Sequence, residues 1–154
     1  MGEWEVGALQ GFFAAATLAS VRVAGVERFG PWPMERLLAR AGYGGLLASH
    51  IVAGMALIDT VVIVQPIERR RGLSSLSLLF HELVHIEQYR LLGTRGFVRE
   101  YVRGWVLGGR SYMDIPLEEQ AYRLTAKYEC DPSLVFSVAE AVRSELQGRI
   151  SDAM

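Results

Sequence analysis

The sequence predicts a mixed α+β fold in which a small twisted β-sheet packs on helices. Val61-Val62-Ile63-Val64 is an apolar, β-branched run of the kind typical of strands. After about residue 73, apolar residues recur at helical spacing, and glycines and prolines separate successive segments. The chain has 154 residues, which is the size of one domain with its own core. We therefore expect a single domain over residues 1–154.

Composition and charge narrow the class of protein. Hydrophobic residues make up 51% of the chain and charged residues 21%, which excludes disorder of the bulk. With 16 basic and 17 acidic residues, the net charge is -1, so no nucleic-acid partner is expected. Cys130 is the single cysteine, which excludes an intrachain disulfide scaffold. The first five residues include two glutamates and no basic side chain, whereas a secretory signal begins with positive charge, so the expected location is the cytoplasm.

The first apolar segment is predicted to form one helix over about residues 4–20. Its alanines favour a helix despite Gly7 and Gly11. Residues 6–21 contain only three polar side chains, but this stretch is shorter than the ~20 residues of a membrane span. A buried helix is the preferred interpretation, and membrane association through this N-terminal segment is the alternative.

A sheet region is predicted over about residues 21–67. Three valines between positions 21 and 26 indicate a first strand, followed by a short helix at residues 34–40. Two further β-prone runs occupy residues 51–53 and 61–64. A proline and an arginine-rich turn then close the region.

The second half of the chain is predicted to be helical. One helix begins near residue 73 and ends near Gly93, after which helical spacing continues as far as Gly108. Pro116 is suited to the first turn of a further helix that runs to about residue 130. Ser133 is the predicted start of a final amphipathic helix over about residues 133–148.

The strongest signal is the H-E-x-x-H motif at His81-Glu82-Leu83-Val84-His85. Histidines four residues apart on a helix lie about 40° apart around its axis, so both imidazoles can bind one ion. Glu82 is angled off this face and can serve as a general base. The chain has only three histidines, so chance rarely produces this spacing. The alternative is a helix surface on which the same residues serve solubility.

A catalytic zinc site needs a third protein ligand. Glu118 is the preferred candidate because it lies in the first turn of the helix after Pro116 and shares a face with Ala121, whose small side chain permits close approach. Glu119 is rotated by about 100° and is expected to face solvent. His50 is the other alternative, although a core or strand-edge role is preferred for it.

These motifs resemble the gluzincin metallopeptidases, in which an H-E-x-x-H helix is followed by a helix that supplies a glutamate. The residues from His81 to Tyr89, with Pro116-Leu117-Glu118, are more closely similar to small bacterial minigluzincin-like proteins of the DUF4157 type, with the pattern HELxHxxQ and a later PLE. The resemblance covers about residues 51–128.

By this resemblance, His81, His85 and Glu118 would be zinc ligands on a zincin-like fold, with Glu82 as catalytic base. Tyr122 occupies the place of the family's aspartate, which supports a ligand histidine, so a phenol, a backbone carbonyl or another residue must provide that support here. An extended substrate would pair with an edge strand above the active-site helix, provided by residues 61–64 or a neighbouring strand.

The expected function is therefore that of a zinc-dependent metallopeptidase acting on peptide or protein substrates through a zinc-activated water. Tyr112 and Arg110 are candidates for stabilising the oxyanion. The alternative function is a non-catalytic zinc-binding or scaffold module on the same fold. The sequence does not indicate an oligomeric state.

Overall fold

A computed structural model describes residues 1–27, 39–40, 42, 44, 53–64 and 73–151. Within these residues the fold is mixed α+β, as predicted, with a small three-stranded sheet packed on helices. The elements in chain order are α1 (Glu3–Leu9), α2 (Ala15–Ser20), β1 (Arg22–Val26), β2 (Gly54–Leu57), β3 (Thr60–Val64), α3 (Leu73–Leu107), α4 (Pro116–Cys130) and α5 (Val138–Ser151).

The sheet has the strand order β1-β3-β2. β1 runs parallel to β3 with Arg22 opposite Thr60, and β2 runs antiparallel to β3 with Gly54 opposite Ile63. Buried and half-buried positions alternate along β3, as the period of two in a strand requires. The predicted strand at residues 61–64 is thus confirmed. The predicted helix at 34–40 falls mostly outside the described residues, as do His50 and the first two residues of the run at 51–53.

The prediction of one helix over residues 4–20 is wrong, because the segment forms two short helices. The chain turns between α1 and α2 at Gly11, whose φ of +99° is readily adopted only by glycine. The turn places Phe12 and Phe13 in the core, where both are almost fully buried. Burial of two aromatic side chains thus outweighs the helix propensity of the alanines. In the part of the chain that the structure describes, no helix combines the length and apolarity needed to span a bilayer.

The helices of the second half follow the predicted order. α3 extends over 35 residues and is interrupted at Gly93, whose φ of 66° and ψ of 163° belong to a region restricted to glycine. α4 begins at Pro116, as predicted. α5 begins at Val138 rather than at Ser133, because the Asp131 carboxylate accepts hydrogen bonds from the Ser133 amide and hydroxyl and forms a turn there.

An aromatic cluster joins the N-terminal segment to α3 and α4. Phe80 stacks on Tyr128 with ring centroids 4.5 Å apart. Phe12 packs edge-on against both rings and against Phe136. This apolar packing fixes the two helices that carry the motif residues relative to each other.

Candidate metal centre

The two motif histidines converge from one face of α3. His81 and His85 are separated by just over one helical turn, and both are buried. Their Nε2 atoms lie 3.2 Å apart. The convergence expected from the i, i+4 spacing is therefore present in the structure.

Glu118 completes a triangle of donor atoms with these histidines. Its Oε2 lies 3.2 Å from Nε2 of His81 and 3.3 Å from Nε2 of His85. Glu118 is only 3% exposed. The three buried side chains are close enough to one another to bind a metal ion.

The separations agree with the size of a zinc ion. Nitrogen and oxygen ligands lie about 2.0–2.1 Å from zinc, so two of them at tetrahedral positions are roughly 3.3 Å apart. The three donor distances of 3.2, 3.2 and 3.3 Å match this value. Two imidazoles and one carboxylate are also a donor set of known catalytic zinc sites.

The start of α4 is held close to α3 by a contact between Gly104 and Pro116. A methyl group on Gly104 would overlap the Pro116 ring, so only glycine permits this approach. Glu118 follows Pro116 by two residues, and Ala121 beneath it is fully buried. Glu119 is exposed on another face of the helix, and the alternative ligand His50 lies outside the described residues.

Burial and mutual charge shift the pKa values of all three groups. Burial alone would raise the pKa of Glu118, but the two histidines hold it far below its usual range. Burial also opposes the charged form of His85, yet the Glu118 and Glu82 carboxylates raise the pKa of His85 to about 9. For His81, burial dominates and lowers the pKa. At neutral pH, His85 in the metal-free cluster is therefore the positively charged imidazole, beside an ionised Glu118.

Glu82 lies beside this triangle but outside it. Its side chain is 3% exposed and packs against Gly54 in β2, where a Cβ atom would lie 2.6 Å from Glu82 Oε1. The backbone of Ala56 also hydrogen-bonds to the Glu82 carboxyl group. Burial is the main reason that the pKa of Glu82 is raised to about 7. A carboxyl group with that pKa can both accept and return a proton near neutral pH.

Two tyrosine hydroxyls support the Glu118 carboxylate. Tyr101 donates a hydrogen bond of 2.7 Å to Oε1, the oxygen that does not face the histidines. The Tyr112 hydroxyl also hydrogen-bonds to Glu118. Burial, with the nearby charge of Glu118, raises the pKa of both phenols, so both remain protonated donors.

A cavity of about 600 Å³ opens onto the centre between α3, α4 and β2. Its wall includes His81, Glu82, Tyr112 and Tyr122. The Tyr122 ring packs against His81 with centroids 4.5 Å apart. Of the two oxyanion candidates, Tyr112 lines the cavity, whereas Arg110 is exposed and lies over the Trp105 ring.

Sequence reasoning assigned no role to two side chains that hydrogen-bond to the candidate ligands. Gln88, fully buried, accepts a hydrogen bond from Nδ1 of His85, and Tyr101 binds Glu118. A local signal for Gln88 existed, because it follows His85 by three residues and shares its helical face. No comparable signal identified Tyr101, since its contact depends on the packing of α4 against α3.

Comparisons of the chain with protein-family models, curated proteins and solved structures found no match.

Proposed function

We propose that this protein is a zinc-dependent metallopeptidase of the gluzincin type that hydrolyses peptide bonds. The observation that carries the proposal is the convergence of His81, His85 and Glu118 on one point, with the Glu82 carboxyl group beside it at the wall of an open cavity. A purely structural cluster would have no need of a second buried carboxyl group next to an accessible cavity.

The three ligand side chains would hold zinc and leave one coordination position facing the cavity. Zinc bound there would polarise a substrate carbonyl and lower the pKa of a neighbouring water. His85 can present an unprotonated Nε2 to the ion because its Nδ1 is held as a donor by Gln88.

Glu82 is proposed as the general base. It would accept a proton from the attacking water and donate it to the leaving amine. The contact with Gly54 and the hydrogen bond from Ala56 hold its carboxyl group against β2, at the cavity wall. Tyr112 is the candidate oxyanion donor, provided that its hydroxyl turns from Glu118 toward the substrate.

The position of β2 supports a zincin-like arrangement. Among the described strands, β3 is central and β2 lies at an edge, packed against α3. Residues 61–64 lie in the central strand, whereas β2 is an edge strand that contacts Glu82, which favours β2 over residues 61–64 as the substrate edge. We propose that an extended peptide pairs with β2 beside Glu82.

The test compares the full chain with Glu82→Gln, which keeps the size of the side chain but removes the base. Zinc content is measured with cleavage of a diverse peptide mixture. We expect about one zinc per chain in both proteins and a loss of cleavage of roughly 100-fold to 10,000-fold in the variant. Glu119→Gln, which removes one negative charge from an exposed position, serves as the control, and this variant should cleave like the parent.

Equal cleavage by Glu82→Gln and the parent would contradict the mechanism. Zinc in both proteins with no cleavage by either would instead favour the non-catalytic zinc-binding or scaffold module. Absence of zinc from the parent would contradict both functions.

A further inference from the structure

A chain of hydrogen bonds leads away from His85 on the side opposite the metal centre. Nδ1 of His85 lies 2.8 Å from Oε1 of Gln88. Gln88 Nε2 lies 2.9 Å from Oε1 of Gln120, and Gln120 Nε2 lies 2.7 Å from Oε2 of Glu145. The chain therefore connects α3, α4 and α5.

Its direction is fixed by the carboxylate at its end. An ionised carboxylate only accepts hydrogen bonds, so Gln120 must turn its amide nitrogen to Glu145 and its oxygen to Gln88. Gln88 must then donate to Gln120 and accept from His85. The second bond of the Gln88 amide, 2.9 Å to the backbone oxygen of Leu117, requires the same orientation. His85 is consequently the donor at Nδ1.

Gln88 also links the ring of His85 to the backbone next to Glu118. It holds the ring of His85 with its oxygen and the carbonyl of Leu117, the residue before Glu118, with its nitrogen. Both glutamines are buried, Gln88 at 0% and Gln120 at 2% exposure. Water therefore does not compete for these bonds.

The Glu145 carboxylate at the outer end of the chain of hydrogen bonds is fixed by an arginine. Arg123 in α4 donates two hydrogen bonds to the Glu145 carboxylate, one of 3.0 Å and one shorter. Glu145 itself is half-buried in α5. A carboxylate fixed in this way polarises the two amides in one direction, and aligned hydrogen bonds strengthen one another.

We propose that Gln88, Gln120 and Glu145 are positioning residues that together replace the direct carboxylate support of a metal-binding histidine. This chain of hydrogen bonds from Glu145 through Gln120 and Gln88 to His85, called the relay below, orients the His85 ring and fixes its tautomer. It also increases the donor strength of Nε2 toward the metal. The inference rests on the proposed metal centre, and it assigns to α5 a function in metal binding.

The first measurement is the zinc affinity of the full chain by competition with a chromophoric chelator. Loss of a hydrogen-bond partner of a ligand histidine typically weakens affinity by about 10-fold to 100-fold. We expect Gln88→Met, which keeps the volume but removes the hydrogen bonds to His85, Leu117 and Gln120, to show that loss. Glu145→Gln should weaken zinc binding by roughly three-fold to ten-fold, because the charge acts through two amides. Glu140→Gln, the same change at an exposed position in α5, should bind zinc like the parent.

The second measurement is the NMR resonance of the His85 Nδ1 proton in metal-free protein, which a merely structural role of Glu145 would not move. Glu145→Gln should shift this resonance upfield as the hydrogen bond to Gln88 weakens, and Glu140→Gln should leave it in place. Because Glu145 is half-buried, this variant is testable even if Gln88→Met does not fold.

If the parent binds zinc but Glu145→Gln changes neither the affinity nor the proton resonance, the relay is refuted and the proposed function stands. If the parent binds no zinc, the proposed function fails, and the function of the relay in metal binding fails with it.

Discussion

At the scale of single residues, the two adjacent glutamates at the start of α4 have different environments. Glu118 is buried against both histidines, whereas Glu119 is exposed. Making the same substitution at each position therefore distinguishes the loss of a proposed metal ligand from the loss of a surface charge. Glu118→Gln replaces a charged ligand by a weak neutral one and should reduce zinc affinity at least 100-fold. Glu119→Gln should reduce it less than two-fold, since about 100° of helix rotation separates the two side chains.

Chelator competition on both variants measures this difference. Equal weakening by the two substitutions would show that the general charge of the helix start, rather than coordination by Glu118, attracts the ion.

Proton competition at His85 should make metal binding dependent on pH. The pKa of His85 in the metal-free cluster is raised to about 9, so below that pH a bound proton must leave before zinc binds. The apparent affinity should be greatest above about pH 9 and fall by up to about ten-fold per unit as the pH decreases. Glu118 adds no competing proton at neutral pH, because its pKa is lowered.

Zinc titrations between about pH 6.5 and 9.5, with a chelator of known proton affinity, test this sign. An affinity that is constant over this range would mean that His85 is already unprotonated in the metal-free protein.

At the scale of elements, the distance between α3 and α4 depends on Gly104. Gly104→Ala would drive a methyl group into the rigid Pro116 ring and displace the first turn of α4. We expect a loss of about 1–3 kcal/mol in the free energy of unfolding, as in overpacked cores. Zinc affinity should also fall, because Glu118 lies in the displaced turn.

Gly148→Ala provides the matched control, because nothing lies within 4 Å of the added methyl group in α5. It should stabilise the protein by about 0.5–1 kcal/mol, the usual gain from replacing glycine in a helix. Urea denaturation with a parallel zinc titration measures both effects. If Gly104→Ala changed neither the free energy of unfolding nor the zinc affinity, α3 and α4 could separate at this contact without cost.

The elements were predictable where one local pattern dominates. The period of two at residues 61–64 and the helical spacing around the motif are local, so β3, α3 and α4 were found. The break after α1 was not, since it depends on the burial of Phe12 against Phe80, 68 positions away in the chain. Helix propensity contributes only a few tenths of a kcal/mol per residue, which is less than the free energy gained by burying such an aromatic side chain.

At the scale of the whole molecule, the convergence of the three candidate ligands could be predicted, but their surroundings could not. His81 and His85 are related by a spacing within one helix, and Glu118 by its position at the start of the next. The relay through Gln120 to Glu145 joins side chains from different helices, and no sequence spacing encodes their contact. The sequence thus predicts which atoms could bind a metal, and the tertiary packing determines how they are held.

Because the centre joins α3 to α4, and the relay joins both to α5, zinc should stabilise the protein as a whole. A ligand that binds only the folded state adds RT ln(1 + [L]/Kd), which is about 4 kcal/mol when free zinc is 1,000-fold above Kd. For a chain of this size that corresponds to a rise of roughly 10 °C in Tm. In the parent, the amide protons of α3, α4 and α5 should gain hydrogen-exchange protection together. Glu118→Gln should retain the metal-free Tm within a few degrees and show little of the zinc-dependent rise. A gain in hydrogen-exchange protection confined to α3, or a zinc-dependent rise in Tm of equal size in Glu118→Gln, would mean that zinc binds the histidines without joining the helices.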